Sequence, residues 1–199
     1  MELRELLEIG PGLTALIGGG GKTTLMYHLA SELRQQGTVL VCTTTKIWPP
    51  AHLRVCTEEG TLREELRRRG IACAGTPMEQ GKLTAPAIDG WETMADFVLV
   101  EADGSRRLPL KVPRAGEPVI PDNTDMILCL NGLTSLGKWA EDCCLRLEEA
   151  ADLMKRYGRK MYEDSREHRD SGTDALELNA KHKADWIIQK EDMMTLMKH

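Results

Sequence analysis

The 199-residue sequence holds no apolar stretch approaching the about 20 residues that a membrane-spanning helix needs. Its first residues, Met1 to Ile9, alternate charge with leucine, so they have neither the basic start nor the apolar core of a secretion signal. Positive charge is also short, with 26 lysines and arginines against 31 aspartates and glutamates, for a net charge of -5. That balance argues against a surface built to grip nucleic acid or anionic lipid, because both partners need a basic face. Of the cysteines (Cys42, Cys56, Cys73, Cys129, Cys143 and Cys144), none shows paired zinc-ligand spacing, and four sit inside or beside apolar runs. Reduced thiols and a cytoplasmic location are therefore expected. No internal repeat or low-complexity tract occurs, and the length suits a single packed core.

What is present is an alternation of short apolar runs with helical patterns, the signature of βαβ units and a mostly parallel sheet. Strands are expected at Leu13–Ile17, Thr38–Cys42, Phe97–Glu101 and Met126–Leu130, with weaker ones at His52–Cys56 and Ile71–Ala74. A helix from Lys22 to about Gln35 places Leu25, Met26, Leu29, Ala30 and Leu33 on one stripe, and Gly37 ends it. A charged helix from about Thr61 to Arg69 stops at Gly70. Residues Lys155 to Asp185 are dense in charge and without period, which reads as a loop, an insertion or a poorly ordered segment.

The strongest chemical signal lies between the first strand and the first helix, where Gly18, Gly19, Gly20 and Gly21 precede Lys22, Thr23 and Thr24. Several amide N–H groups can converge on one anion only where no Cβ obstructs them, and the helix that follows presents its positive end. Lys22 is then expected at the β- and γ-phosphates of ATP or GTP, the Thr23 hydroxyl at Mg²⁺ and Thr24 near the α-phosphate. The spacing departs from G-x-x-x-x-G-K-[ST], because Leu16 stands at the first glycine position. The variant loop of the nucleotide-switch ATPases is closer, although Ile17 replaces its extra lysine. The alternative is a glycine-rich turn that holds nothing.

A phosphate loop needs a carboxylate at the end of a neighbouring strand. Phe97 to Glu101 ends in one, and Glu101-Ala102-Asp103-Gly104 has the spacing of a switch segment in which the Gly104 amide senses the γ-phosphate. Glu101 is assigned to the metal and Asp103 to the attacking water. Two more patches follow apolar strands. Thr43, Thr44, Thr45 and Lys46 either bind a phosphate or second substrate or satisfy their own backbone. Ser105, Arg106, Arg107 and Lys111 either meet an anion or form a solvated basic loop. Pro109, Pro113, Pro118 and Pro121 impose extended geometry on what looks like a fixed loop over the site.

Taken together, Gly18 to Thr24, Thr43 to Ile47, the block Glu-Ala-Asp-Gly-Ser-Arg-Arg-Leu-Pro-Leu-Lys from Glu101 to Lys111, and Glu117 to Pro121 resemble the YqeC family. The resemblance covers about Leu13 to Leu136. It implies an α/β, P-loop NTPase-like three-layer fold with a mostly parallel sheet. It further implies an NTPase accessory to selenium-dependent molybdenum hydroxylases, with such a hydroxylase or its maturation proteins as partner. By that similarity Lys46, Arg106, Arg107 and Lys111 become candidate functional residues. The expected organisation is a single P-loop domain, with a nucleotide-binding core over residues 1–136 and a helical or irregular segment over 137–199. Helical pieces are expected at Arg146–Ala151 and Glu191–His199, and the segment is shorter than in the family. The expected Asn-Lys-x-Asp-like strand is missing, which leaves the base open and suggests a sheet edge that a homodimer would cover.

Other tempting residues have blander readings. Cys143 and Cys144 are expected as packing residues of a helix rather than reactive thiols, and His28 as structural. His168, Asp170 and His182 could form a metal site only through loop geometry. A small-molecule kinase and a non-hydrolysing nucleotide sensor stand as alternatives to the NTPase.

Overall fold

A computed structural model describes residues 2–149. In chain order the helices are α1 (Leu3–Leu6), α2 (Lys22–Leu33), α3 (Glu59–Arg69) and α4 (Ala140–Cys143). The strands are β1 (Gly12–Gly18), β2 (Val39–Thr43), β3 (Val55–Cys56), β4 (Ile71–Ala74), β5 (Thr76–Pro77), β6 (Leu83–Thr84), β7 (Phe97–Glu101), β8 (Leu110–Lys111), β9 (Met126–Leu130) and β10 (Cys144–Leu145).

Six strands form one sheet in the order β3-β4-β2-β7-β1-β9, with every pairing parallel. Alternation along the strands divides the core into two layers. Leu13, Ala15 and Ile17 of β1, Leu40 of β2 and Val98 of β7 face one side, where Leu62 and Leu66 of α3 and Trp91 cover them. Leu16, Val39, Val41, Phe97 and Leu99 face the other, against Met26, Leu29, Ala30 and Leu33 of α2. These four α2 residues are fully buried. Each large one contributes about 2 kcal/mol by leaving water. The result is the three-layer α/β/α arrangement of P-loop NTPases.

Polar clamps fix the end of the sheet away from the glycine loop. Asp96 accepts from the Thr38 amide at 2.7 Å and hydroxyl at 2.8 Å, and Asp125 accepts from the Leu13 amide at 2.8 Å. The Thr38 clamp explains why β2 begins at Val39, one residue later than expected. At its far end Thr43 stays in the ladder opposite Glu101. The expected strand from His52 shrinks to Val55–Cys56, α2 stops at Leu33, and α3 starts at Glu59. Gly70 closes α3 with a φ of 69°, a left-handed conformation that suits glycine.

Three features lay outside the sequence reading. β5 pairs with β6, β8 pairs with β10, and β10 brings residues 144–145 back to the loop that follows β7. Cys143 and Cys144 therefore do not share a helix, since Cys143 ends α4 and Cys144 opens β10. β9 is half-exposed at the edge of the sheet among the described residues. Of those residues, no helix is long and apolar enough to cross a membrane. Of the expected helical piece at Arg146–Ala151, residues 147–149 are helical and the last two fall outside the described residues, as do the piece at Glu191–His199, the charge-dense Lys155–Asp185 tract, and His168, Asp170 and His182.

Candidate functional site

The glycine run joins the interior strand β1, paired between β7 and β9, directly to α2. Gly21 caps the helix with a φ of 81°, and no side chain bonds to the helix start. The helical ladder opens with the Leu25 amide donating to the Gly21 carbonyl at 2.8 Å. The first-turn amides of Lys22, Thr23 and Thr24 therefore have no carbonyl of the helix to meet. Gly18 and Gly19 behave differently from the expected four-glycine cradle. The Gly18 amide donates to Asp103 Oδ2 at 3.0 Å, and the Gly19 amide donates to the Leu130 carbonyl at 2.8 Å. In this conformation the cavity is lined from Gly20 to Thr24. Gly19 has its own reason to lack a side chain, because a Cβ there would lie 2.5 Å from the Pro109 carbonyl oxygen. The proline-bearing segment thus lies against the loop, and Pro109 also accepts from the Gly132 amide at 2.8 Å.

β7 hydrogen-bonds beside β1 with Glu101 level with Leu16, so the end of β7 delivers its carboxylates to the loop. Thr23 Oγ1 donates to Glu101 Oε2 at 2.7 Å. Burial pushes the Glu101 carboxyl above its ordinary value, against the Thr23 hydrogen bond and the Lys22 charge; Asp103 adds to the rise. A buried carboxylate beside a hydroxyl is a hard-oxygen pair of the kind Mg²⁺ accepts.

Asp103 occupies a different position from the water-activating one expected of it. Its Oδ1 lies 3.1 Å from Lys22 Nζ, its Oδ2 lies 3.1 Å from Lys111 Nζ, and all three side chains are at most 3% exposed. Lys22 also donates to the Gly18 carbonyl. With the Gly18 amide added, both oxygens of Asp103 are already engaged, so its arrangement fits an anchor for the loop lysine. Lys111, expected as a surface functional cation, is buried and continues the chain to Glu117 Oε2 at 2.7 Å. Glu117 in turn takes Arg146 Nη1 at 2.7 Å and Arg114 Nε at 3.0 Å. Burial pushes Glu117 up, but the hydrogen bonds from Arg146 and Lys111 and their charges outweigh it, and its carboxyl falls to about 2.

Lys22, Arg114, Glu117 and Arg146 border one open cavity of about 1070 Å³. Its lining holds the cations Lys22, Lys46, Lys82, Arg106, Arg107, Arg114 and Arg146 against the acids Glu101 and Glu117. In a chain of net charge -5 this is a concentrated positive field, which draws polyanions. Lys46, Arg106 and Arg107 are exposed and have no carboxylate partner among the described residues. Gly104 and Ser105 also line the cavity. The threonine patch divides. Thr43 Oγ1 donates to the Glu101 carbonyl at 2.7 Å and Thr44 Oγ1 to the Val119 carbonyl at 2.5 Å, so both hydroxyls satisfy backbone, while Thr44, Thr45 and Lys46 border the cavity.

Sequence reasoning missed Lys82, Trp48, Arg114 and Arg146 as cavity residues and left Glu117 without a role. No local pattern marks Lys82 or Arg146, which reach the site through the β5–β6 and β8–β10 pairings. Cys143 is buried with its thiol on the Trp139 carbonyl at 3.1 Å, and burial pushes it up, which fits the packing reading. His28 is exposed rather than part of the core. Among the described residues no three His, Cys, Asp or Glu side chains cluster as a metal site would require.

The profile of a protein family described as YqeC protein matches residues 14–148. The uncharacterized protein YqeC of Escherichia coli (strain K12) is 35% identical over 155 residues, a match that takes in 72% of this chain. The chain spans about 60% of that relative's length. No solved structure matches the chain.

Proposed function

The chain belongs to the YqeC family, and on that premise we propose that it binds a magnesium nucleoside triphosphate, hydrolyses it, and serves as an accessory factor in maturing a selenium-dependent molybdenum hydroxylase. One observation carries the nucleotide part of this reading: the Thr23 hydroxyl and the buried Glu101 carboxylate already meet at 2.7 Å, at the mouth of a glycine loop, beside Lys22. Thr23 and Glu101 would hold Mg²⁺, which when bound neutralises the β- and γ-phosphate oxygens. The amides from Gly20 to Thr24 receive the phosphates. Lys22, fixed from behind by Asp103, supplies the positive charge where negative charge gathers during phosphoanhydride cleavage. Arg106 and Arg107 line the same cavity, exposed and without a carboxylate partner among the described residues, able to close on the γ-phosphate. The accessory role rests on the family resemblance of the Glu101–Lys111 block.

Calorimetric titration with ATP and with GTP, each with and without Mg²⁺, tests the nucleotide reading and the base preference together. Mg²⁺ is expected to tighten binding by about tenfold or more in the wild type. Thr23→Ala and Glu101→Gln are expected to lose that enhancement while keeping metal-free binding. Wild-type binding that ignores Mg²⁺ would count against the assignment.

A small-molecule kinase is the second reading, favoured by the extent of the cavity beyond the loop and by its further cations. A product screen with labelled γ-phosphate separates the two, since hydrolysis yields inorganic phosphate alone.

A further inference from the structure

The wall of the cavity that carries Lys46, Trp48, Lys82 and Thr84 is built with unusual regularity. Ile47 and Leu83 form an antiparallel bridge, with the Ile47 amide donating to the Leu83 carbonyl at 3.1 Å and the Leu83 amide returning a bond at 2.8 Å. Both side chains are buried in the core layer under α2. Side chains alternate across extended backbone, so their neighbours Lys46, Trp48, Lys82 and Thr84 project the other way. All four line the cavity. Lys82 Nζ sits 5.4 Å from the centre of the Trp48 ring, which fixes one ammonium group over an indole that is itself 57% exposed.

The charge of this wall exceeds what a triphosphate needs. A magnesium triphosphate retains a small negative charge, and Lys22 with Arg106 or Arg107 neutralises it. Lys46 and Lys82 then remain, on opposite strands of one bridge and both on the cavity lining, without a carboxylate among the described residues. Like charges held together repel, and the arrangement becomes favourable when an anion bridges them.

We propose that Lys46, Lys82 and Thr84, backed by Trp48, form a second oxyanion subsite that binds a phosphorylated small molecule beside the triphosphate. Two ammonium groups and a hydroxyl present separate donors to the oxygens of a tetrahedral phosphate, whereas planar two-point recognition of a carboxylate is the work of guanidinium. Trp48 offers an apolar face to the organic part of the ligand. The subsite deepens the nucleotide reading by naming the class of its co-substrate or effector, and it rests on that reading only for the adjacent site being taken by a triphosphate.

The experiment uses the full chain with its glycine loop saturated by Mg²⁺ and a non-hydrolysable triphosphate analogue, titrated with inorganic phosphate and followed by calorimetry and Trp48 fluorescence. Saturable phosphate binding is expected, weakened by about tenfold or more in Lys46→Ala/Lys82→Ala. Both lysines are outside the core, and an unchanged melting temperature of the double variant checks its fold. No saturable uptake by the loaded wild type, or uptake indifferent to the double substitution, overturns the subsite. Should the wild type fail to bind the analogue, phosphate titration of the wild type against the double variant, both without analogue, still decides the subsite, so the two readings fail separately.

Discussion

Lys22, at the inner end of the cavity, and Lys111, behind its lining, are buried, and each has a carboxylate oxygen within 3.1 Å; Lys46, Arg106 and Arg107, also on the lining, are exposed and have none among the described residues. The difference separates two ways of handling charge. A buried ammonium group must be neutralised by the protein, because removal from water costs several kcal/mol per ion. An exposed one can wait for its anion in solvent. The inner network Lys22–Asp103–Lys111–Glu117–Arg146 is thus neutralised within the fold, while the outer cations stay available to an anion.

The largest effect should come where the inner network meets the ligand. Lys22→Ala is expected to lower triphosphate turnover by about 10²- to 10³-fold, the loss seen when one preorganised donor is removed from developing charge. Steady-state phosphate release checks this, and turnover within a few-fold of wild type would break the distinction between inner and outer cations. Asp103→Asn comes next. It leaves two buried ammonium groups with one carboxylate fewer, and unfolding in denaturant should show a stability loss of about 3 kcal/mol. A water-positioning Asp103 would instead lose turnover with stability unchanged, so the two measurements distinguish anchor from base.

Glu117 extends the network to Arg146 and gives it a pH signature. Its folded carboxyl titrates at about 2 against an ordinary value of 4.5. A depressed carboxyl contributes stability that is present above its unfolded value and lost as pH falls through the folded one. Stability is expected to fall as pH drops from 4.5 towards 2, and Glu117→Gln should flatten that stretch of the acid-unfolding curve. An unchanged slope would remove Glu117 from the buried network.

The inner end of the site was largely legible in the sequence. Gly18 to Thr24 and the acid-ending run Phe97 to Glu101 are local patterns, and an all-parallel sheet can place such ends together in few ways. Asp103 was found, but its two lysine partners were not, because sequence shows an acid near a glycine and not the ammonium groups that meet it. Lys111 shows the same limit, since only the folded chain reveals that its ammonium group turns inward. The outer wall was half legible. Lys46 follows a strand and stands out, whereas Lys82 depends on the bridge between Ile47 and Leu83, whose residues lie far apart in sequence. Arg146 depends likewise on the pairing of β8 with β10.

The smallest expected effect tests the outer cations through the backbone. Arg106 and Arg107 hold φ angles of 50° and 66°, the left-handed region that a side chain enters at a cost of about 1 kcal/mol per residue. Successive residues of this kind persist where surrounding contacts compensate, and these two make no ion pair among the described residues. Arg106→Gly relieves the steric cost, while the freer unfolded chain takes part of the gain back. The net is a melting temperature slightly raised, by about 0.5 kcal/mol in stability terms. The same variant is expected to weaken triphosphate binding, because the guanidinium is held at the cavity mouth by that strained turn. Stability and affinity should thus move in opposite directions, whereas an arginine that merely solvates a loop would show the stability gain alone.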